Sequence, residues 1–310
     1  MKNKKHWLAF LVFFIVPLTG VCIDIYVPAL PEVGRYFHVA KSLTQLSISA
    51  YLIGLGFMQL LAGSVSDCFG RQKPFLISMC MFSVVTFTIP SSQTIHQLIA
   101  LRFLQGVALA MAVVPMRSVI ADLFEGNELT KMMTYMTMAW SLGPIIAPAI
   151  GGYLQFYLGW KAIFYFLSVY STITLILACI FLFETSVHFH PFKLNKMIKQ
   201  YQCMLTNQEY LTYTLIGGIL FSIITLFGIA SPFFIQTILH YSVKQFGQFT
   251  LLLGLAWFMG SFLNRFLLNI NLEIKAKYCF SFMLLISLIM LGVSIIMPIH
   301  IGNIIIPMLA

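Results

Sequence analysis

The stretch Gly63-Ser-Val-Ser-Asp67-Cys-Phe-Gly70-Arg71-Gln-Lys73-Pro74 separates two long apolar runs of the chain. Glycines at both ends allow two helices to approach closely and the chain to turn tightly. A carboxylate in such a turn can cap a neighbouring helix N-terminus, and the cations favour the cytoplasmic side of a membrane. The stretch therefore predicts a short polar turn between two helices that cross a lipid bilayer.

The composition of the whole chain supports a membrane protein. Of 310 residues, 60% are hydrophobic and 9% are charged, and the mean hydropathy is +0.92. A soluble domain carries charge on roughly a quarter of its positions, so a soluble enzyme, a disordered tail and a secreted module are excluded. The six cysteines contain no CxxC pair, and His188 and His190 have no nearby acidic or cysteine partner. We therefore expect no disulfide framework, no metal site and no enzyme active site.

Apolar stretches of about 20 residues predict an all-α, multi-pass fold with nine spans and the start of a tenth at Ile301. The nine are Trp7–Pro28, Leu43–Gly63, Pro74–Pro90, Gln97–Ile120, Met132–Leu154, Lys161–Phe183, Tyr210–Pro232, Phe246–Leu268 and Tyr278–Pro298. With the N-terminus inside, twelve of the eighteen Lys and Arg residues fall on the cytoplasmic side and four outside. This bias predicts a cytoplasmic N-terminus. The longest polar connection divides the chain into a six-helix bundle (1–184), a cytoplasmic linker (185–209) and an incomplete second bundle (210–310).

Several motifs distributed along the chain carry a family resemblance. They are the turn at 63–74, Asp24-Ile-Tyr26-Val-Pro28-Ala-Leu-Pro31, Arg102-Phe-Leu-Gln105-Gly106, Gly143-Pro144-Ile-Ile-Ala147-Pro148-Ala-Ile-Gly151-Gly152, Ser231-Pro232-Phe233 and Phe262-Leu-Asn264-Arg265. Together they resemble the major facilitator superfamily, and within it the bicyclomycin-resistance type of drug/proton antiporter. The turn departs from the family pattern at Cys68, where a basic residue is usual. The resemblance implies two rocking helix bundles around a midplane site. Because that family has twelve spans, it also implies that the chain lacks the last helices of the fold.

Asp24 is the leading candidate for coupling protons to substrate. A charge inside a span costs about 2.5 to 3.5 kcal/mol on insertion scales and so needs a reason to be there. Arg102 is expected at a matching depth in the fourth span, so it is the candidate partner that tunes Asp24, with Gln105 orienting the site. The alternatives are that Asp24 extends to the outer interface and that Arg102 forms a fixed packing anchor. Three apolar or aromatic residues are candidates for the cavity wall: Tyr26, Met58 and Trp140.

Two further groups have supporting roles that the resemblance implies. The turn residues Gly63, Asp67, Gly70 and Arg71 form a cytoplasmic gating loop, although Arg71 can equally be a cation that only sets topology. Asp122, after the fourth span, is expected on a solvated inner face. In the fifth span, the prolines bend the helix and the glycines permit close packing, and the antiporter motif is expected to seal the carrier against leak. Its residues are Gly143, Pro144, Pro148, Gly151 and Gly152.

The sequence thus predicts proton-coupled export of drugs or other small amphipathic compounds across the cytoplasmic membrane. The expected energy source is the proton gradient, with no cofactor and no nucleic acid partner. Two alternatives remain open. The chain could be a non-transporting remnant or a subunit of such a carrier, because half a bundle would leave polar cavity surfaces facing lipid. It could also be a metabolite transporter of the same superfamily.

Overall fold

The computed structural model describes residues 2–186, 194–266 and 272–296, and within these ranges the fold is helical and contains no strand. The helices are α1 Lys2–Ile15, α2 Leu18–Asp24, α3 Leu30–Tyr36, α4 Lys41–Phe69, α5 Gln72–Thr88, α6 Ile95–Leu123, α7 Gly126–Leu158, α8 Trp160–Phe181, α9 Leu194–Thr206, α10 Gln208–Phe233, α11 Val243–Phe266 and α12 Leu272–Ile296. Short 3-10 turns occur at Val27–Ala29 and Ile89–Ser91, and a π turn follows α10 at Phe234–Ile238.

Six helical segments of the described residues are long and apolar enough to span a membrane. They are Trp7–Tyr36, Lys41–Phe69, Gln72–Ser91, Ile95–Leu123, Trp160–Phe181 and Gln208–Ile238. They confirm six of the predicted spans, and α7, α11 and α12 lie where the fifth, eighth and ninth were predicted. The tenth predicted span and the pair His188 and His190 lie outside the described residues.

The first span extends beyond its predicted end at Pro28 to Tyr36. It is built from α1, α2, a 3-10 turn and α3. Pro28 and Pro31 each occupy one of the first two positions of a new turn, where a missing N–H breaks no helical hydrogen bond. The prolines therefore restart the helix instead of ending the span.

Helices α4 and α6 pack at very close range through two glycines. A methyl group on Gly54 would collide with the backbone oxygen of Phe103, and one on Gly106 would collide with that of Tyr51. Absence of side chains at these positions lets two helix backbones touch, as small residues do between membrane helices. This contact fixes the position of Arg102, one turn before Gly106.

The two halves of the chain meet along α7 and α11. At the end where α4 begins, they are joined by two hydrogen bonds, from Gln236 Nε2 to the carbonyl oxygen of Pro28 at 2.9 Å and from Gln45 Nε2 to that of Ile229 at 3.4 Å. In the same region, Lys41 Nζ lies 5.9 Å from the ring centre of Phe233. The molecule is therefore held together at the end opposite the α4–α5 turn. The predicted division at 184 and 209 stays a prediction, and α9 lies within its linker.

Candidate functional site

A cavity of about 190 Å³ lies between the two halves of the chain. Helices α2 and α7 contribute Asp24, Trp140, Pro144 and Pro148 to its wall. Helices α10 and α11 contribute mainly aromatic and aliphatic residues, among them Phe221, Phe227, Phe246 and Leu253. An apolar wall with few polar groups is typical of a small-molecule site.

Asp24 ends α2 and is the only ionisable residue among the described residues that line this cavity. Its Oδ2 would lie 3.7 Å from a methyl group placed on Gly20, so the carboxylate folds back along its own helix. Within the described part of the chain, its carboxylate makes no ion pair and accepts no hydrogen bond. An ionised carboxylate in such surroundings is costly unless a proton or a cation neutralises it.

Arg102 of α6 is fully buried in a different environment. Its guanidinium lies 4.5 Å from the ring centre of Tyr51 and 4.9 Å from that of Tyr26, with Phe164 at 5.8 Å. It also donates hydrogen bonds to Gln105 Oε1 at 2.5 Å and to the carbonyl oxygen of Cys22 at 3.3 Å. Stacking on aromatic faces and a neutral hydrogen-bonding shell stabilise a buried guanidinium without a counter-ion.

Gln105 completes this cluster. Its Nε2 donates to Thr86 Oγ1 of α5 at 2.8 Å, while its Oε1 accepts from Arg102. The predicted pairing of Gln105 with Arg102 is therefore present, whereas the predicted contact between Arg102 and Asp24 is not formed in this conformation. Arg102 reaches the Asp24 helix through the Cys22 carbonyl, two residues before Asp24.

The three candidate wall residues have different locations. Trp140 lines the cavity and donates from Nε1 to Thr19 Oγ1 at 3.3 Å. Tyr26 is fully buried beside Arg102 and hydrogen-bonds Ser47 Oγ at 3.1 Å, so it faces away from the cavity wall. Met58 is half-buried on α4 and does not contribute to the wall.

The α7 motif packs against both halves of the chain. A methyl group on Gly143 would lie 3.3 Å from Cγ2 of Val21, and one on Gly151 would collide with the backbone of Ile25. On the other side, a methyl group on Gly152 would lie 2.9 Å from the backbone oxygen of Val243 on α11. Pro144 and Pro148 line the cavity between these contacts. The motif thus joins the Asp24 helix to α11 through close backbone approaches.

The α4–α5 turn is held by a polar cluster around Arg71. Its guanidinium bonds Asp67 at 2.6 Å, Ser66 at 2.8 Å and Asp122 of α6 at 3.2 Å. Burial alone lowers the pKa of Arg71, but the hydrogen bonds and charges of Asp67 and Asp122 raise it above its ordinary value. Asp122, expected on a solvated face, is therefore part of this cluster. Gly63 has open space around it.

Glu184, just after α8, completes the cluster and was not singled out from the sequence. Its carboxylate accepts from the backbone N–H groups of Arg71 at 2.9 Å and Gln72 at 3.2 Å. Burial raises the pKa of Glu184, yet these backbone hydrogen bonds, together with one from Ser186 at 2.9 Å, bring it below its ordinary value. Gly70 has φ +88° and lies against this carboxylate, where a side chain would collide. A lone acidic residue after an apolar run carries no local signal for this role.

Comparisons with known proteins extend over most of the chain. A family model described as Major Facilitator Superfamily matches residues 10–310. The MFS-type transporter YdgK of Bacillus subtilis (strain 168), named as uncharacterized, is 31% identical over 265 residues, covering 84% of this chain and 66% of its own. A bicyclomycin resistance protein homolog of Haemophilus influenzae is 28% identical over 280 residues, covering 88% and 70% respectively. The chain thus spans about two thirds of the length of these relatives.

A third relative, the multidrug resistance protein D of Escherichia coli (strain K12), is 29% identical over 170 residues, which cover 54% of this chain and 43% of the relative. Among solved structures, a bacterial homologue of the human lysosomal transporter Spinster, inward-facing and unoccupied, gives a TM-score of 0.79 at 12% identity. The match covers 100% of this chain and 72% of the Spinster homologue. A D-xylose-proton symporter gives a TM-score of 0.69 at 14% sequence identity, and the match covers 98% of this chain and 78% of the symporter chain. At these identities the structural likeness concerns the fold.

Proposed function

The chain belongs to the major facilitator superfamily, and from this premise we propose that it exports small amphipathic compounds, drugs among them, in exchange for protons at Asp24. The proposed location is the cytoplasmic membrane, with the N-terminus and the α4–α5 turn in the cytoplasm. The names of the Haemophilus and Escherichia relatives support a drug rather than a sugar or a peptide as substrate.

The observation that carries the proposal is the isolated carboxylate of Asp24 in an apolar cavity between the halves. A proton and a cationic substrate can each neutralise this carboxylate, but one excludes the other. Exchange of one for the other follows if the cavity opens alternately to the two sides of the membrane. The apolar wall holds the rest of the substrate by contacts that have little directionality, which permits chemically diverse ligands.

Arg102 and Gln105 have a positioning role in this scheme. Arg102 binds the Cys22 carbonyl and so fixes the backbone of α2 two residues before Asp24. Gln105 holds the guanidinium in place and is itself held by Thr86. A rocking movement that brought the guanidinium toward Asp24 would favour the ionised carboxylate and hence release of its proton.

Transport of the cationic dye ethidium by the full chain in proteoliposomes tests this function. We expect an imposed pH gradient to drive ethidium against its concentration gradient, and Asp24→Asn to lower that rate at least 100-fold. Glu32→Gln is the matched control, because Glu32 is a partly exposed carboxylate paired with Arg35 at 2.6 Å and lies away from the cavity. Proton-driven transport that survived Asp24→Asn would contradict the proposal.

The same assay distinguishes the two alternative functions. Competition by unlabelled metabolites but not by lipophilic cations would indicate a metabolite transporter. If the folded, unaltered chain moved no ethidium and no metabolite, a role as a subunit of a larger carrier would replace the proposal.

A further inference from the structure

Helix α9, which lies in sequence between the two halves of the chain, is amphipathic, and much of its apolar surface is left uncovered by the described residues. Its apolar residues follow the helical spacing of one stripe: Leu194, Met197, Ile198, Tyr201, Met204 and Leu205. Three of them are substantially exposed, with Ile198 at 43%, Met204 at 45% and Leu205 at 63%. The stripe is therefore not buried against the described part of the protein.

The opposite face of α9 is basic. Lys196 and Lys199 lie one turn apart on it, and Lys199 is exposed. From Ser186 to Gln208 the sequence contains no acidic residue, so nothing within the segment neutralises these lysines. A basic face combined with an apolar stripe is typical of a helix that lies in the interface of a lipid bilayer.

The position of α9 along the chain places it at the membrane boundary. It follows the end of α8 and precedes the start of α10, both of which are long enough to span the bilayer. The hydroxyl group of Tyr201 donates to the carbonyl oxygen of Leu60 at 2.7 Å, which ties α9 to the half of α4 that leads to Asp67. The predicted orientation puts this end at the cytoplasmic leaflet, whose surface is negative.

We propose that α9 is an interfacial helix that binds anionic phospholipid headgroups of the cytoplasmic leaflet through Lys196 and Lys199, with its apolar stripe immersed among the acyl chains. The lipid supplies two partners that the described residues do not, namely negative charge for the exposed Lys199 and apolar surface for Ile198, Met204 and Leu205. Tyr201 transmits this anchorage to α4, the helix that contributes Ser66 and Asp67 to the cluster around Arg71. The proposal rests on the membrane location and on the orientation given under the proposed function, and it is independent of what the protein transports.

Thermal unfolding of the detergent-solubilised full chain, titrated with lipid, tests the binding. We expect phosphatidylglycerol to raise Tm in a saturable manner and phosphatidylcholine to have a much smaller effect. Lys196→Gln combined with Lys199→Gln should weaken the apparent affinity for phosphatidylglycerol about 30-fold, as two lysines near an anionic surface imply. Lys161→Gln combined with Lys244→Gln is the control and should leave the titration unchanged. Lys161 lies over the ring of Tyr36 and Lys244 over that of Tyr153, at the end of the molecule opposite the α4–α5 turn.

Glycerol phosphate serves as the soluble headgroup without acyl chains and should give no comparable shift. An equal response to phosphatidylglycerol and phosphatidylcholine would overturn the proposal, and so would an unchanged response of the α9 double variant. A full response to glycerol phosphate would indicate a soluble phosphate ligand instead of a lipid and would equally overturn it.

Cysteine labelling in membranes gives a second measurement that does not depend on Tm. Cys203 lies on the polar face of α9 and should react readily with a water-soluble maleimide, as mapped by peptide mass. A cysteine introduced by Leu205→Cys, on a Cys203→Ser background, should react at least tenfold more slowly in vesicles containing phosphatidylglycerol. Leu205 is 63% exposed, so its contacts with the described part of the protein do not account for protection at this position. Equal labelling at 203 and 205 would contradict immersion of the stripe.

Discussion

Asp24 and Arg102 bear opposite charges on the neighbouring helices α2 and α6, yet their surroundings differ sharply. Arg102 is fully buried, stacked against Tyr51 and Tyr26, and hydrogen-bonded to Gln105 and the Cys22 carbonyl. Asp24 faces a cavity and, within the described residues, has no hydrogen-bonding or ionic partner. The comparison indicates that one charge belongs to the packing of the bundle, whereas the other faces a cavity and is the one that we propose exchanges a proton for substrate.

The largest expected effect comes from removing the packed charge. Arg102→Ala leaves a cavity among the tyrosines and leaves Gln105 Oε1 and the Cys22 carbonyl without a donor, so it should lower stability by about 3 kcal/mol. Asp24→Asn removes no such contact and should leave stability unchanged or slightly higher. Thermal unfolding of both variants in the same detergent checks this contrast. If Arg102→Ala and Asp24→Asn lowered stability equally, the conclusion that only Arg102 is part of the packing would be contradicted.

A smaller effect is expected from moving the helix that holds Tyr51 over Arg102. Gly106→Ala places a methyl group against the backbone of Tyr51 and 2.8 Å from the N atom of Leu55, which forces α4 away from α6. Overpacking of this kind should cost about 2 kcal/mol, measured by the same unfolding assay. Gly56→Ala on α4 is the matched control, because nothing lies within 4 Å of a methyl group there. A Tm loss as large for Gly56→Ala would show that close packing at Gly106 is not the cause.

The smallest effect concerns a third charged site, outside the spans. Burial raises the pKa of Glu184, but backbone hydrogen bonds from Arg71, Ser186 and Gln72 outweigh it and hold the pKa below its ordinary value of about 4.5. A lowered pKa in the folded state means that the stabilisation is complete above the ordinary value and is lost as pH falls through the folded pKa. Glu184→Gln should therefore lower Tm at pH 7, and the difference from the unaltered protein should shrink below about pH 4.5. Glu125→Gln, at an exposed carboxylate that follows α6, is the matched control for loss of one surface charge.

The sequence was sufficient for the regular parts of the fold. Long apolar runs identify spans because a bilayer requires about 20 apolar residues, and the six segments that meet this requirement lie where they were predicted. The restart of the first span after Pro28 was missed, because whether a proline ends a helix depends on its position within a turn. Helix α9 was missed because its alternation of apolar and basic residues lowers the mean hydropathy of the linker.

The candidate site was predictable in its members more than in its contacts. The sequence singled out Asp24, Arg102, Gln105 and Trp140, but it gave no direction for the Arg102 side chain. That direction is set by Tyr51 of α4 and Phe164 of α8, which are distant in sequence from Arg102. Tyr51 approaches because Gly54 and Gly106 let α4 and α6 touch. Tertiary contacts of this kind leave no local pattern in the chain.

The central claim is that the Asp24 carboxylate exchanges a proton for substrate. Proton release on adding ethidium to the purified, weakly buffered full chain tests it directly, because the measurement needs binding but no complete transport cycle. The account predicts close to one proton released per ethidium bound, no release from Asp24→Asn, and undiminished release from Glu32→Gln. Ethidium binding without proton release by the unaltered protein, or release that persists in Asp24→Asn, would contradict it.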